Sequence, residues 1–274
     1  MPEVDDNRRV WTAGWDWSEQ GDEWSAWWGG TDAMWIGALF PRIHSFVPTG
    51  TVLEIAPGYG RWTQYLKDLC ERLVVVDLAP NCIEHCRHRF AESSNIDYYV
   101  NDGRSLDMVP DSSIDFAFSF DSLVHAEMDV LQAYVEQLAR KLTPDGVGFI
   151  HHSNLGSYEP FRALARRAPS RVLRPLVQRG LLIDLFAWRA EGITADAFAA
   201  LCEAAGLACV SQESINWEWG YYLIDTLSVF TRRGSRWDRP RVVMRNPLFR
   251  SEARRMASLY ARTSFPSSDG RRPG

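Results

Sequence analysis

The run Val52-Leu-Glu-Ile-Ala-Pro-Gly-Tyr-Gly60, followed by Val74-Val-Val-Asp77, constrains this chain most. Residues 51–55 are apolar and β-branched, as expected of a strand buried in a parallel sheet. Pro57, Gly58 and Gly60 end that strand. The two glycines reach backbone angles closed to other residues, and neither carries a side chain that would block a ligand. Residues 61–72 place Trp62, Leu66 and Leu69 at helical spacing, and residues 74–76 read as a second strand. The unit is β-turn-α-β, a cradle for a nucleotide-like cofactor.

Three kinds of cofactor compete for such a turn. A dinucleotide site needs G-x-G-x-x-G or -A, so that the helix packs close and its N-terminus meets a pyrophosphate. Here the third position is Thr63, and Glu54 sets a negative charge beside the turn. A Walker-type phosphate loop needs Gly-Lys-Ser/Thr, which is absent. S-adenosylmethionine carries no phosphate, and its methionine end carries an amine and a sulfonium, both cationic. A carboxylate at the strand end suits it. Asp77, ending the next strand, is placed to accept hydrogen bonds from ribose hydroxyls.

Glu54-Ile-Ala-Pro-Gly-Tyr-Gly60 with Asp77 resembles the first two motifs of class I S-adenosylmethionine-dependent methyltransferases. Further segments follow in that family's order. Asn101-Asp102-Gly103 comes after the strand-like Tyr98-Tyr99-Val100, residues 113–120 resemble its fourth strand, and residues 142–151 resemble the turn into its fifth. The resemblance covers about residues 50–232. It implies a Rossmann-like α/β fold: a seven-stranded, mostly parallel sheet with an antiparallel C-terminal hairpin and helices on both faces. It also implies S-adenosylmethionine as cofactor, held by Glu54, Ala56, Gly58, Gly60, Asp77, Leu78, Asp102, Gly103 and Asp121. Asp102 would meet the adenine amine.

Around this core the chain divides into three parts. Residues 1–47 hold Trp11, Trp15, Trp17, Trp24, Trp27, Trp28 and Trp35, a majority of the 12 tryptophans. They read as an N-terminal cap, whose rings either pack on the sheet or floor a substrate site. Residues 48–235 form the methyltransferase domain. Within it, residues 155–190 are a basic, amphipathic insertion at the place of a substrate lid; a solvated hairpin or a contact in a homodimer is the alternative. Residues 236–274 are an arginine-rich extension, disordered from 264 onward. A solvated end is the plain reading, and polyanion binding the other.

Composition limits the function. The net charge of −5 gives no case for nucleic acid as a partner of the whole chain. No run approaches the ~20 apolar residues of a spanning helix, although the basic insertion leaves peripheral membrane contact open. The N-terminus has no signal-peptide core, and five scattered cysteines fit reduced thiols of a cytoplasmic protein better than disulfides. Cys82 and Cys86 with His85 and His88 invite a zinc reading, but lie on one helix with no second ligand pair.

Methyl transfer from a sulfonium is an in-line displacement with a good leaving group, so the enzyme mainly positions the nucleophile. A hydroxyl acceptor also needs a base, and histidine is the first candidate. His125, His151 and His152 lie past strand ends, the ligand-binding edge of open α/β sheets. Alternation along the strand turns only one of His151 and His152 inward. His152, nearer the strand end, is the first choice. Asp121 directly follows the fourth strand. It lacks the Asn/Asp-Pro-Pro-Tyr/Phe motif, which speaks against nucleobase and glutamine N-methylation. If Mg²⁺ aligns a hydroxyl pair, its ligands would come from Asp121, Asp102 or Glu218.

The leading expectation is O-methylation of a sugar, oligosaccharide or related natural product. A phenol, carboxylate or amine in a small molecule is the enzymatic alternative. A non-catalytic cofactor-binding or scaffold subunit, or a lipid or polyanion binder, are the alternatives from other classes.

Overall fold

The computed structural model describes residues 3–167, 170–179, 188–217 and 222–263. Eight strands form one sheet: β1 (Thr49–Ile55), β2 (Cys70–Asp77), β3 (Ile96–Val100), β4 (Ile114–Ser119), β5 (Leu142–Ser153), β6 (Leu207–Ile215), β7 (Asp225–Arg232) and β8 (Val242–Asn246). Their spatial order is 3-2-1-4-5-7-6-8. β7 alone runs antiparallel to its neighbours β5 and β6. The order reverses between β1 and β4, the switch point at which open α/β sheets bind ligands.

Strand alternation divides the core into two layers. Leu53, Ile55, Val74, Val76 and Ile150 face the helices Met128–Lys141 and Ala195–Ala204. Val52, Leu73, Val75, Phe116, Phe118 and Phe149 face the N-terminal segment, through Met34, Trp35, Leu39 and Ile43. A run that is apolar at every position thus serves both faces, as a doubly covered parallel sheet requires.

Two elements depart from expectation. The helix expected over 61–72 is one turn, Thr63–Leu66, because β2 begins at Cys70. The Asn95 side chain donates to the carbonyls of Lys67 and Cys70 and fixes that early end. The arginine-rich extension, read as a mainly solvated tail, supplies β8, which pairs with β6, and the helix Phe249–Thr263. That helix packs on the N-terminal segment, with Phe249 and Ala253 buried. Arg42 donates to both oxygens of Glu213 at 2.7 Å, and Asn246 also donates to Glu213, tying the three pieces together. Arg241 pairs with Asp196, and Arg250 lies over the Trp27 ring, so these cations are engaged within the fold. The expected disorder of 264–274 lies outside the described residues, as do parts of the 155–190 insertion. Among the described residues, no helix is long and apolar enough to cross a membrane.

Candidate active site

A cleft opens at the C-terminal ends of β1, β2 and β4. The turn after β1 forms one wall. Ala56, Gly58 and Gly60 have φ of 58°, 59° and 86°. Ala56 thus holds a left-handed conformation that ordinarily favours glycine. The carbonyl of Val76 accepts its amide, and Ser122 Oγ donates to its carbonyl. Ala56, Gly58, Asp77, Leu78, Gly103 and Asp121, all expected cofactor residues, line this cleft.

Gly60, Glu54 and Asp102 are absent from its walls. Gly60 turns toward helix Pro80–Arg89, where an added Cβ would stand 2.6 Å from Phe90. Asp102 is exposed; its carboxylate accepts from the amides of Arg104 and Ser105, which hold it below the usual carboxylate range. Glu54 lies under the turn at 1 % exposure. Thr63 donates to its Oε2 at 2.6 Å, while Oε1 is buried with no hydrogen-bond partner. Burial pushes its carboxyl up to about 8, against the Thr63 hydrogen bond. Asp77 accepts from Gly58 N at 3.2 Å and Ala79 N at 2.8 Å. Burial nevertheless raises it to about 6.

The N-terminal segment roofs the cleft. Trp11, Trp17 and Trp24 line it, and Trp15 packs behind them. Trp17 stacks on Tyr59 with centroids 4.4 Å apart, and Tyr59 stacks on His85. A Cβ on Gly58 would meet Trp17 at 3.0 Å, and one on Gly103 would meet Val4 at 2.9 Å. Both glycines are therefore needed for the roof's close approach as well as for any ligand's. Asn7 donates to the His125 carbonyl, and Asn81 donates to that of Trp11.

The far wall holds Asp121 and His125. Asp121 has φ 62°, and its carboxylate meets Arg61 at 2.7 Å, with side chains 8 % and 6 % exposed. Arg61 lies over the Trp62 and Trp24 rings. Arg61 and Trp62 also line the cleft, although sequence reasoning assigned them no role. An arginine directly following the glycine turn was the available signal. His125 is 7 % exposed and lines the cleft, with Nδ1 buried and unpartnered. Trp188, from the return of the insertion, stacks on Trp11 at 5.1 Å and lies 5.0 Å from the His125 ring. Burial and the nearby Arg189 push His125 down to about 3, so the ring is neutral.

Neither His152, the first choice of the pair, nor His151 lines the cleft. His152 shares the layer of Ile150, stacking on Phe198 at 4.2 Å. Its Nε2 lies 2.8 Å from Ser228 Oγ and its Nδ1 2.8 Å from the Ser153 carbonyl. It is absent from the cleft walls, and burial lowers it to about 4. His151, on the layer of Phe149, sits behind Asp121, and its Nδ1 accepts the Asp121 amide at 3.1 Å. Both histidines lie within β5 rather than past its end, and alternation sends them to opposite layers of the core.

The acids considered for Mg²⁺ are not assembled. Asp121 is bound by Arg61, Asp102 caps its own loop, and Glu218 lies outside the described residues. Among the described residues no group of three His, Cys, Asp or Glu side chains is arranged to hold a metal ion, including Cys82, His85, Cys86 and His88. All five cysteines are free thiols.

Residues 52–146 match the family model described as a methyltransferase domain. Over 106 residues the chain is 32% identical to nodulation protein S of Sinorhizobium fredii, a match spanning 36% of this chain and 45% of that protein. The chain thus spans under half the length of that curated relative. The structure of the PH0226 protein from Pyrococcus horikoshii OT3 superposes with a TM-score of 0.53 at 20% identity, covering 82% of this chain and 96% of that one. An S-adenosylmethionine-dependent methyltransferase from Mesorhizobium loti gives 0.51 at 18% identity, covering 74% and 100%. At these identities the structural likeness is one of fold.

Proposed function

We propose that this chain, whose residues 52–146 form a methyltransferase domain of the class I S-adenosylmethionine-dependent family, methylates a hydroxyl of a small acceptor with His125 as its base. The observation that carries this reading is that His125, whose buried Nδ1 has no hydrogen-bond partner, lines the same cleft as Gly58 and Asp77.

The residues present fit the cofactor. Asp77, Leu78 and Gly103 line the cleft, where they would meet its ribose and adenine. The orphaned Oε1 of Glu54 and the protonated state that burial imposes suit a nearby cation, which would draw the proton off. When bound, the sulfonium supplies an electrophilic methyl group.

His125 then has a defined task. Its neutral ring offers the Nδ1 lone pair to the acceptor hydroxyl and fixes the oxygen toward the methyl group. A hydroxyl proton becomes strongly acidic as the new C–O bond forms, so a base of low pKa suffices to take it. The Asp121 carboxylate favours the resulting imidazolium. The roof of Trp11, Trp17 and Trp24 presents flat faces suited to a sugar ring, which supports a sugar or oligosaccharide acceptor and excludes water from the reaction.

A small-molecule amine is the second reading, because a neutral imidazole serves an ammonium-forming acceptor equally well. Labelled methyl transfer to a panel of sugars, phenols, carboxylates and amines separates the two. Failure to bind S-adenosylmethionine at millimolar concentration would overturn the reading entirely and leave the non-catalytic ones.

A further inference from the structure

Behind the cleft lies a second set of buried polar groups that the proposed chemistry does not use. His151 and Asp225 are both fully buried. His151 Nε2 stands 3.4 Å from Asp225 Oδ2 without a hydrogen bond between them, and Arg189 Nε reaches the two Asp225 oxygens at 3.1 and 3.3 Å. The imidazole is wedged between Phe120, at 4.6 Å, and Trp217, at 5.2 Å. Because the Asp121 amide donates to Nδ1, that nitrogen carries no proton, and the ring's N–H is at Nε2, facing Asp225.

This set joins parts of the chain far apart in sequence. Asp121 follows β4, His151 lies near the end of β5, and Asp225 begins β7. Arg189 belongs to the return of the insertion, and its neighbour Trp188 roofs His125. Asp121 needs such a hold, because a residue with a Cβ at φ 62° is strained and persists only where its surroundings impose it.

We infer that His151 is a positioning residue: Phe120 and Trp217 wedge its ring beside the Arg189-paired Asp225, and the ring fixes the left-handed turn at Asp121 that aims the carboxylate at Arg61 in the cleft. Asp121 in turn is an anion whose charge acts on the proposed base. The arrangement makes the geometry of the acceptor site depend on how the insertion's return is seated.

The turnover arm of the test rests on the methyl-transfer reading; the amide arm does not. His151→Leu removes both polar contacts at similar size, whereas His151→Asn keeps an acceptor at the Nδ1 position. His151→Leu is expected to leave S-adenosylmethionine affinity within about threefold and to lower kcat by about a hundredfold, the scale of an ångström-level misplacement. His151→Asn should recover about tenfold of that loss. Hydrogen exchange of the Asp121 amide should be fast in the Leu variant and protected in wild type and the Asn variant. Equal turnover in the two variants, or an Asp121 amide equally protected in both, overturns the inference. If the Leu variant does not fold, Asp225→Asn takes its place: kcat falls by about tenfold with cofactor affinity kept, or the inference fails. A wild type without turnover on any acceptor would overturn the methyl-transfer reading instead, and the amide exchange would still decide the role of His151.

Discussion

The Arg61 guanidinium and the Asp121 carboxylate form a 2.7 Å ion pair in the cleft wall, with both side chains less than a tenth exposed. Breaking such a pair from one side leaves a buried charge alone, which costs more than the pair contributes. Asparagine tolerates a left-handed backbone, so Asp121→Asn isolates the charge. It should lower stability by about 3 kcal/mol. Adding Arg61→Leu should return part of that loss. Denaturant unfolding of the two single variants and the double variant measures this directly.

The same pairing bears on metals. Arg61 already satisfies Asp121, and Asp102 serves its own loop. Turnover is expected to be unchanged in a strong chelator, and added Mg²⁺ should not restore activity to Asp121→Asn.

Glu54 links proton, fold and cofactor. Its folded pKa, about 8, is raised above the ordinary 4.5. The stabilisation from the protonated carboxyl is therefore present in full below about pH 4.5 and is lost as pH rises through about 8. Glu54→Gln should be more stable than wild type at pH 9, with the difference vanishing near pH 4. If a cationic cofactor draws the proton off, wild type should release close to one proton on binding at pH 7. Calorimetry in buffers of different ionisation heat reads that release, and the Gln variant should lack most of it.

The histidines should divide by role. His125→Ala is expected to lower turnover by about 10²–10⁴-fold with cofactor affinity intact. Since His125 is pushed down to about 3, wild type should show no acid limb from it above about pH 4. His152→Ala removes two hydrogen bonds and the Phe198 stack. It should cost about 2 kcal/mol of stability while the folded fraction turns over normally.

Trp17 tests the roof. It covers Gly58 and stacks on Tyr59 at an interplanar angle of 6°. Trp17→Ala should weaken S-adenosylmethionine binding by about tenfold with little change in melting temperature, because the ring is only half-buried. An unchanged affinity would mean that the ring belongs to the acceptor side alone.

The sequence by itself determined the strand-turn-strand cradle, the identity of its acids and the parallel core. Those features depend on local rules: β-branched runs, glycines at turns, and an acid ending a strand. It also put His125 and Asp121 at the edge where ligands bind. Tertiary structure alone decided the rest. Whether Glu54 faces a ligand or lies beneath the turn depends on Thr63 packing against it. That neither His151 nor His152 lines the cleft depends on the buried partners they meet, Asp225 and Ser228. The extension's arginines read as solvated because charge in a sequence carries no partner, yet residues 242–246 complete the sheet. The Trp11–Trp188 stack, the Arg61–Asp121 pair and the Arg189–Asp225–His151 set join residues 36 to 177 positions apart. Such contacts follow from burial and chain crossing, which no local pattern encodes.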